Sequence, residues 1–517
     1  MTDTSSTTPR RRNPDDRSAR RLARQTGSSG PSFSFIRREI PYYELVSEEG
    51  LARIEAISEQ LLAEIGMDIR NDEVALSLFR GAGADVDGER VRFEPGLVKS
   101  LCSTAPTQFT QHARNPARSV QIGGDAIVFA PAYGSPFVRD LDVGRRYGSI
   151  VDFENFVKLT YATSALHHSG GTVCEPVDVP VNKRHLDMVY AHLRYSDKAL
   201  MGSVTEPTRA EESIEMMRIV FGADFVDQHC VILGNVNVNS PLVWDNTMTG
   251  ALRAYASANQ APVVVPFILG GAMGPVTMAG AIAQAHAEVL VGVALGQLTR
   301  PGSPVIYGNF LSSMALRSGS PTFGTPEPAL GSLIVGQLAR RVNLPLRCSG
   351  AFTSSKLPDA QAMTESTMSM LAAIQCGANF ILHSAGWLEG GLTMGYEKFI
   401  IDADFCSALH TYCKGIDLSD EQFALDAFRE VGPGKHFFGS QHTLRHYETA
   451  FWDSSTANND SFEQWRDAGE TRAEDRANSK TKQMLADYEL PPMDDATNEA
   501  LREFIDRRKS ERVDMWY

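Results

Sequence analysis

The sequence predicts an α/β fold: a (β/α)8 barrel with an N-terminal α/β extension and a C-terminal helical tail. Three observations predict it. From about residue 150, short apolar runs alternate with amphipathic helices, as parallel strands joined by crossover helices do. Polar and aromatic residues collect just after those runs, where a barrel builds its mouth. The chain's 517 residues, 43% of them hydrophobic, are enough for so large a core. A doubly wound open sheet would share the alternation, but no GxGxxG follows the first strand to support a dinucleotide version.

Taken in order, residues 1–35 are read as a disordered basic tail: they are polar, arginine-rich and without an apolar core of signal-peptide type. The run Arg10-Arg11-Arg12 fits a solubilising tail better than a nucleic-acid contact. Residues 36–150 form the extension. Apolar side chains at helical spacing (Leu51, Ile54, Ile57, Leu61, Leu62, Ile65) predict a helix over 45–65 that Gly66 ends. A second helix spans Asn71 to Arg80. Val86, Val91 and Phe93 alternate around Asp87-Gly88 as a hairpin does. A helix near 95–103 and strands near 120–122 and 127–130 complete it.

Residues 151–450 are the barrel. Strands are expected at 171–175, 199–204, 230–236, 262–269, 304–307, 344–348 and 378–383, with an eighth near His436–Phe438. Helices are expected near 150–164, 183–195, 209–222, 246–258, 277–298, 329–342 and 359–375. Residues 451–517 are a tail: a polar stretch over 453–480 that loops over the surface, then a charged helix over 496–511 with Leu501, Phe504 and Ile505 on its apolar face.

Net charge is −14, which disfavours nucleic acid as a partner. No run of 18 apolar residues appears, so no membrane span is expected. The seven cysteines are scattered, without CxxC or zinc spacing, and read as buried free thiols of a cytoplasmic protein. His436, His442 and His446 lack a carboxylate in register, so no metal site is expected there.

The stretch HSAGWLEGGLTMGYEKF, His383 to Phe399, carries the strongest local signal. It leaves the apolar run Ala378–Leu382 and opens into a loop with Gly386, Gly390, Gly391 and Gly395. Glycines let the backbone turn sharply and approach a ligand closely. In a barrel this loop would meet Glu175, Thr205-Glu206, Asn235 to Asn239, Gly270 to Gly274, Asn309-Phe310 and Ser349 to Lys356 at one mouth, making Phe310, Trp387 and Glu389 neighbours. The bland alternative is a glycine-rich surface loop whose Trp387 plugs a gap.

Several segments together resemble the trimethylamine methyltransferase family: Phe323-Gly324-Thr325-Pro326-Glu327, Gln337-Leu338-Ala339-Arg340, Ser355-Lys356-Leu357-Pro358-Asp359, Gly377-Ala378-Asn379, Gly386-Trp387-Leu388-Glu389-Gly390-Gly391, Gly432 to Tyr447 and Arg139-Asp140-Leu141-Asp142. The resemblance implies a TIM barrel that moves a methyl group from an amine to the cobalt of a separate corrinoid protein. The corrinoid (cobalamin) would then come with that cognate partner and not be bound tightly here. The best-known members carry pyrrolysine. This chain has only standard residues, with Ser355-Lys356 near the corresponding place, which turns the expectation toward quaternary amines such as glycine betaine.

A quaternary nitrogen already carries its charge and leaves as a neutral amine, so no general acid is needed. It has no N–H, so aromatic faces must hold it. Tyr133, Phe310, Trp387 and Tyr396 are the candidates, with Glu389 as an anionic wall. His383, His436, His442 and Lys356 are candidate donors to a carboxylate. Asn235 and Asn237, ending the third strand, are candidates for substrate or corrinoid contact. Each has an ordinary structural role as its alternative. A corrinoid-free hydrolase or lyase using Glu389 and a histidine, a tertiary methylamine methyltransferase and a betaine-binding protein are the competing readings. A homo-oligomer is expected.

Overall fold

The computed structural model describes residues 34–516, so the basic tail expected at 1–35 lies almost wholly outside the described residues. At its centre is a sheet of parallel strands flanked by helices. We number its strands β1 (Ile36–Arg37), β2 (Ala126–Phe129), β3 (Leu200–Gly202), β4 (Ile232–Val238), β5 (Ala261–Leu269), β6 (Ile306–Gly308), β7 (Leu346–Ser349) and β8 (Phe380–Leu382). Their spatial order is β1-β2-β8-β7-β6-β5-β4-β3. All these pairings are parallel except β1 with β2. A further strand, Phe310–Ala315, continues beyond β6 and pairs with the end of β5, Phe267 facing Phe310.

Strands buried on both faces read as near-continuous apolar runs. β5 (APVVVPFIL) is buried over most of its length, with helix Asn246–Ser257 and helix Met278–Thr299 beside it. Helix Met278–Thr299 is long and apolar enough by composition to cross a membrane, yet it is enclosed by the fold, with every residue from Ala281 to Gln297 buried. It is a core helix.

Most expected strands and helices are present. Three expectations fail. Residues 171–175 form no strand, and His436–Phe438 lie in exposed turns. The polar stretch 453–480 holds helices Phe462–Asp467 and Ala473–Ala486. The sheet instead recruits β2, from the segment assigned to the N-terminal extension, and sets it against β8 in register Phe380–Val128 and Ile381–Phe129. The named strands form an open ladder ending at β3. Beside that opening, His167 N–H donates to Phe129 O, Ser169 N–H to Ala199 O, and Met201 N–H to Gly170 O.

Side chains alternate across a strand, so two apolar layers form. Leu233, Val263, Ile306, Phe380 and Val128 make the inner one. It is continued at the N-terminal end of the strands by a hairpin of strands Gln108–Gln111 and Val120–Gly123. Val120 and Ile122 are wholly buried in that inner cluster. The Gln111 side chain donates to the carbonyls of Leu200 and Val231, tying the hairpin beneath β3 and β4.

Candidate active site

The other end of the strands is polar and aromatic. The loop after β8 folds back as a two-strand hairpin, Trp387–Leu388 against Thr393–Gly395. Two glycines make this possible. A Cβ on Gly391 (φ +95°) would sit 2.4 Å from the Trp387 ring, and one on Gly386 (φ +98°) 2.5 Å from Met394 Sδ. Trp387 is thereby folded inward, only 3% exposed.

Around it stand Phe310, Phe323, Phe352 and His383. Ring centroids lie 4.4 Å apart for Phe352 and Trp387, 4.5 Å for His383 and Trp387, 5.6 Å for Phe323 and Trp387, and 6.2 Å for Phe310 and Trp387. Phe267 adds a contact to Phe310 at 4.7 Å. These are contact distances. A quaternary ammonium sandwiched between two rings needs centroids about 9–10 Å apart. The rings therefore pack on one another as one wall, with no room for a cation between their faces.

His383 adopts φ +65°, a conformation uncommon outside glycine. Its Nδ1 accepts the Tyr133 backbone N–H at 3.2 Å, which leaves the proton on Nε2. Burial, reinforced by the nearby Arg347 charge, holds its pKa well below that of an ordinary imidazole, so it is neutral. Tyr133 is packed beside Gly171, and burial pushes its hydroxyl up to about 12.

Arg347 is the group that the sequence reading missed. It lies on β7, in register with Gly308 and with the inward-facing Phe380, and its side chain is wholly buried. One guanidinium N–H donates to Asn309 O at 2.6 Å, and Cζ lies 5.3 Å from the Phe310 centroid. Nε has no hydrogen-bond partner. No carboxylate pairs with it among the described residues. Burial lowers its pKa to about 10, so it remains charged at neutral pH. Ser349 Oγ, Trp387 Nε1 and Asn235 Oδ1 are likewise buried without partners. The signal was there to read: an arginine inside an apolar, strand-length run. Phe323 and Phe352 were also missed as ring contributors.

Other candidates go elsewhere. Tyr396 donates its hydroxyl to Asp152 and stacks on Phe156 at 4.2 Å, within a helix interface. Glu389 is bound by Arg145 Nε at 2.8 Å and by the Thr393 hydroxyl at 2.7 Å, so its charge is already matched. Lys356 is exposed and donates to Ser354 O in its own loop. His436 and His442 keep other company, Phe438 and His446. Helix Tyr396–Cys413 carries the chain away from the mouth, about 27 Å over its 18 residues. Its last residue, Cys413, accepts from Glu39 N–H beside the N-terminal end of β2. Among the described residues, no hydrogen bond, ion pair or ring contact joins residues 432–447 to Trp387. Asn235 and Asn237 do lie on the inward face of β4; Asn237 is exposed and accepts from Asn235 Nδ2 at 3.3 Å.

Residues 10–513 match the family model described as trimethylamine methyltransferase (MTTB). The chain belongs to the trimethylamine methyltransferase family. It is 40% identical over 474 residues to glycine betaine methyltransferase of Desulfitobacterium hafniense strain Y51, covering 91% of this chain and 98% of that one. It is 26% identical to the proline betaine:corrinoid methyltransferase of Eubacterium limosum, over 90% of this chain and 97% of that one. Trimethylamine methyltransferase MttB of Desulfitobacterium hafniense strain DSM 10664 / DCB-2 is also 26% identical, over 90% and 94%. As a member of the family the chain is a methyltransferase. Its mouth is built from Phe310, Trp387 and His383, and from Arg347, Phe323 and Phe352 beside them.

Proposed function

We propose that this chain takes a methyl group from a quaternary amine of glycine betaine type and delivers it to the cobalt(I) of a cognate corrinoid protein, its second substrate. The observation that carries this is the wall of rings: Phe310, Phe323, Phe352 and Trp387 converge with neutral His383, and Glu389 of the same loop is already held by Arg145. Each ring face stabilises a desolvated cation by roughly 0.5–2 kcal/mol.

When the C–N bond breaks, its electrons return to nitrogen and a neutral amine leaves. The acceptor supplies the electron pair of the new bond. The chain's task is to hold the methyl in line and to exclude water. Asn235 and Asn237 face an incoming acceptor from the end of β4. We read the sheet as a closed (β/α)8 barrel, residues 167–170 filling the eighth place between β2 and β3 through the hydrogen bonds described above. We further propose a cytoplasmic protein that acts as a homo-oligomer.

The names of the two betaine methyltransferases support this reading. A corrinoid-free hydrolase is disfavoured, because Arg145 occupies the carboxylate it would need. The test is an anaerobic assay with reduced corrinoid protein and glycine betaine, proline betaine, choline or trimethylamine, following the cobalt absorption spectrum. Methyl transfer from a quaternary amine is expected. Absence of transfer from every one of them overturns the proposal.

A further inference from the structure

We propose that Arg347 anchors a carboxylate on the substrate, so that this site takes amines bearing a carboxylate close to the quaternary nitrogen and rejects bare amines and amino alcohols. This rests on the methyltransfer reading and deepens it.

The argument is one of unmet valence. A guanidinium presents five N–H donors in a fixed fork that matches a carboxylate. Arg347 uses one of them on Asn309 O, and its Nε has no partner although the side chain is wholly buried. Charge buried without a counter-charge is costly, and structural proteins pair it. Two more polar atoms nearby are in the same condition. Ser349 Oγ lies two residues along the same strand face, and Trp387 Nε1 belongs to the ring wall. A carboxylate on Arg347 supplies the acceptor that such donors lack. Phe310 links the two halves of the site, because it touches the Arg347 guanidinium on one side and Trp387 and His383 on the other. A ligand with a carboxylate on Arg347 and one carbon between that group and its nitrogen thus places the ammonium beside the rings. A bare cation gains nothing there and is repelled by Arg347.

The experiment uses the full chain without acceptor. Binding of glycine betaine, choline and tetramethylammonium is measured by calorimetry and by tryptophan fluorescence, in wild type and in Arg347→Met and Arg347→Lys. Wild type is expected to bind glycine betaine at least about 100-fold tighter than choline. Arg347→Met is expected to lose that margin without weakening choline binding, which loss of the repelling charge leaves equal or tighter, and Arg347→Lys to recover part of it. The inference is overturned if wild type binds choline as tightly as glycine betaine, if Arg347→Met leaves betaine binding intact, or if it weakens all three ligands equally, as loss of a structural strut would. The wild-type comparison needs no variant to fold. The two readings also fail differently. Methyl transfer from choline or trimethylamine as fast as from betaine sinks this inference alone, whereas transfer from none of the amines sinks both.

Discussion

Three buried cations, two lysines in the scaffold and one arginine at the mouth, are treated in opposite ways. Lys398, on the helix after the Trp387 loop, is wholly buried and gives its donors to both oxygens of Asp402 (2.5 and 2.6 Å) and to Ser366 Oγ at 3.0 Å. Lys198, also buried, donates to the carbonyls of Thr160, Thr163 and Leu166 at 2.6–2.8 Å. In each case the fold meets the ammonium on every side. Arg347 has one carbonyl and a ring face. The difference sets Arg347 apart from both lysines, as the proposed role of holding a carboxylate requires.

The contrast can be broken by experiment. The largest effect is expected at Lys398→Met, which strands Asp402 as an unpaired buried carboxylate and costs about 3–5 kcal/mol in urea unfolding. A loss under 1 kcal/mol would end the distinction. Next comes Glu212, the scaffold's acid counterpart, bound by His185, Arg508 and Arg512. Burial alone would raise its carboxyl, but the hydrogen bonds from His185 and the two arginines outweigh it and bring the pKa down to about 2. A pKa below its unfolded value adds stability that is fully present above about 4.5 and is lost as pH falls toward 2. We expect about 2 kcal/mol after screening of the partly exposed arginines. Earlier acid release of helix Asp495–Ser510, read by hydrogen exchange, checks it, and Glu212→Gln should remove the step.

At the mouth the expected losses are functional. Trp387→Leu should weaken substrate binding by up to about 30-fold, one desolvated cation–π contact, with unfolding shifted far less than for Lys398→Met. Arg347→Met should cost less unliganded stability than Lys398→Met, no more than about 1–3 kcal/mol, since it strands a neutral carbonyl, Asn309 O, and no charge. The smallest effects, within about twofold on methyl transfer, are expected at Lys356→Met and His442→Ala, whose side chains contact none of the rings around Trp387.

How much of this was legible follows from the range over which each signal acts. Strand β8, the loop glycines and the helix at Leu501 are local patterns of period and turn chemistry, and they read directly. The pairing of β2 with β8 joins Val128 to Phe380 across about half of the chain, and no local pattern encodes it. An eighth strand was therefore sought downstream, at His436–Phe438, where the chain turns in solvent. Phe310, Trp387 and His383 could be placed together because each follows a strand. Tyr396 could not be excluded, since one residue past Gly395 a helix begins and turns it onto Phe156. Arg347 was hidden because a strand assignment averages over its residues, and the one charged side chain was counted with its apolar neighbours.

The hairpin of 108–123 has a consequence for timing. By covering the N-terminal end of the strands it leaves their C-terminal end as the doorway to the rings. In the proposed reaction both reactants must use that doorway, so the amine has to enter before the bulky acceptor covers it. The spent amine then waits behind the acceptor until it departs. Steady-state kinetics should show a compulsory sequence, amine first in and last out, and random entry would mean that the hairpin leaks.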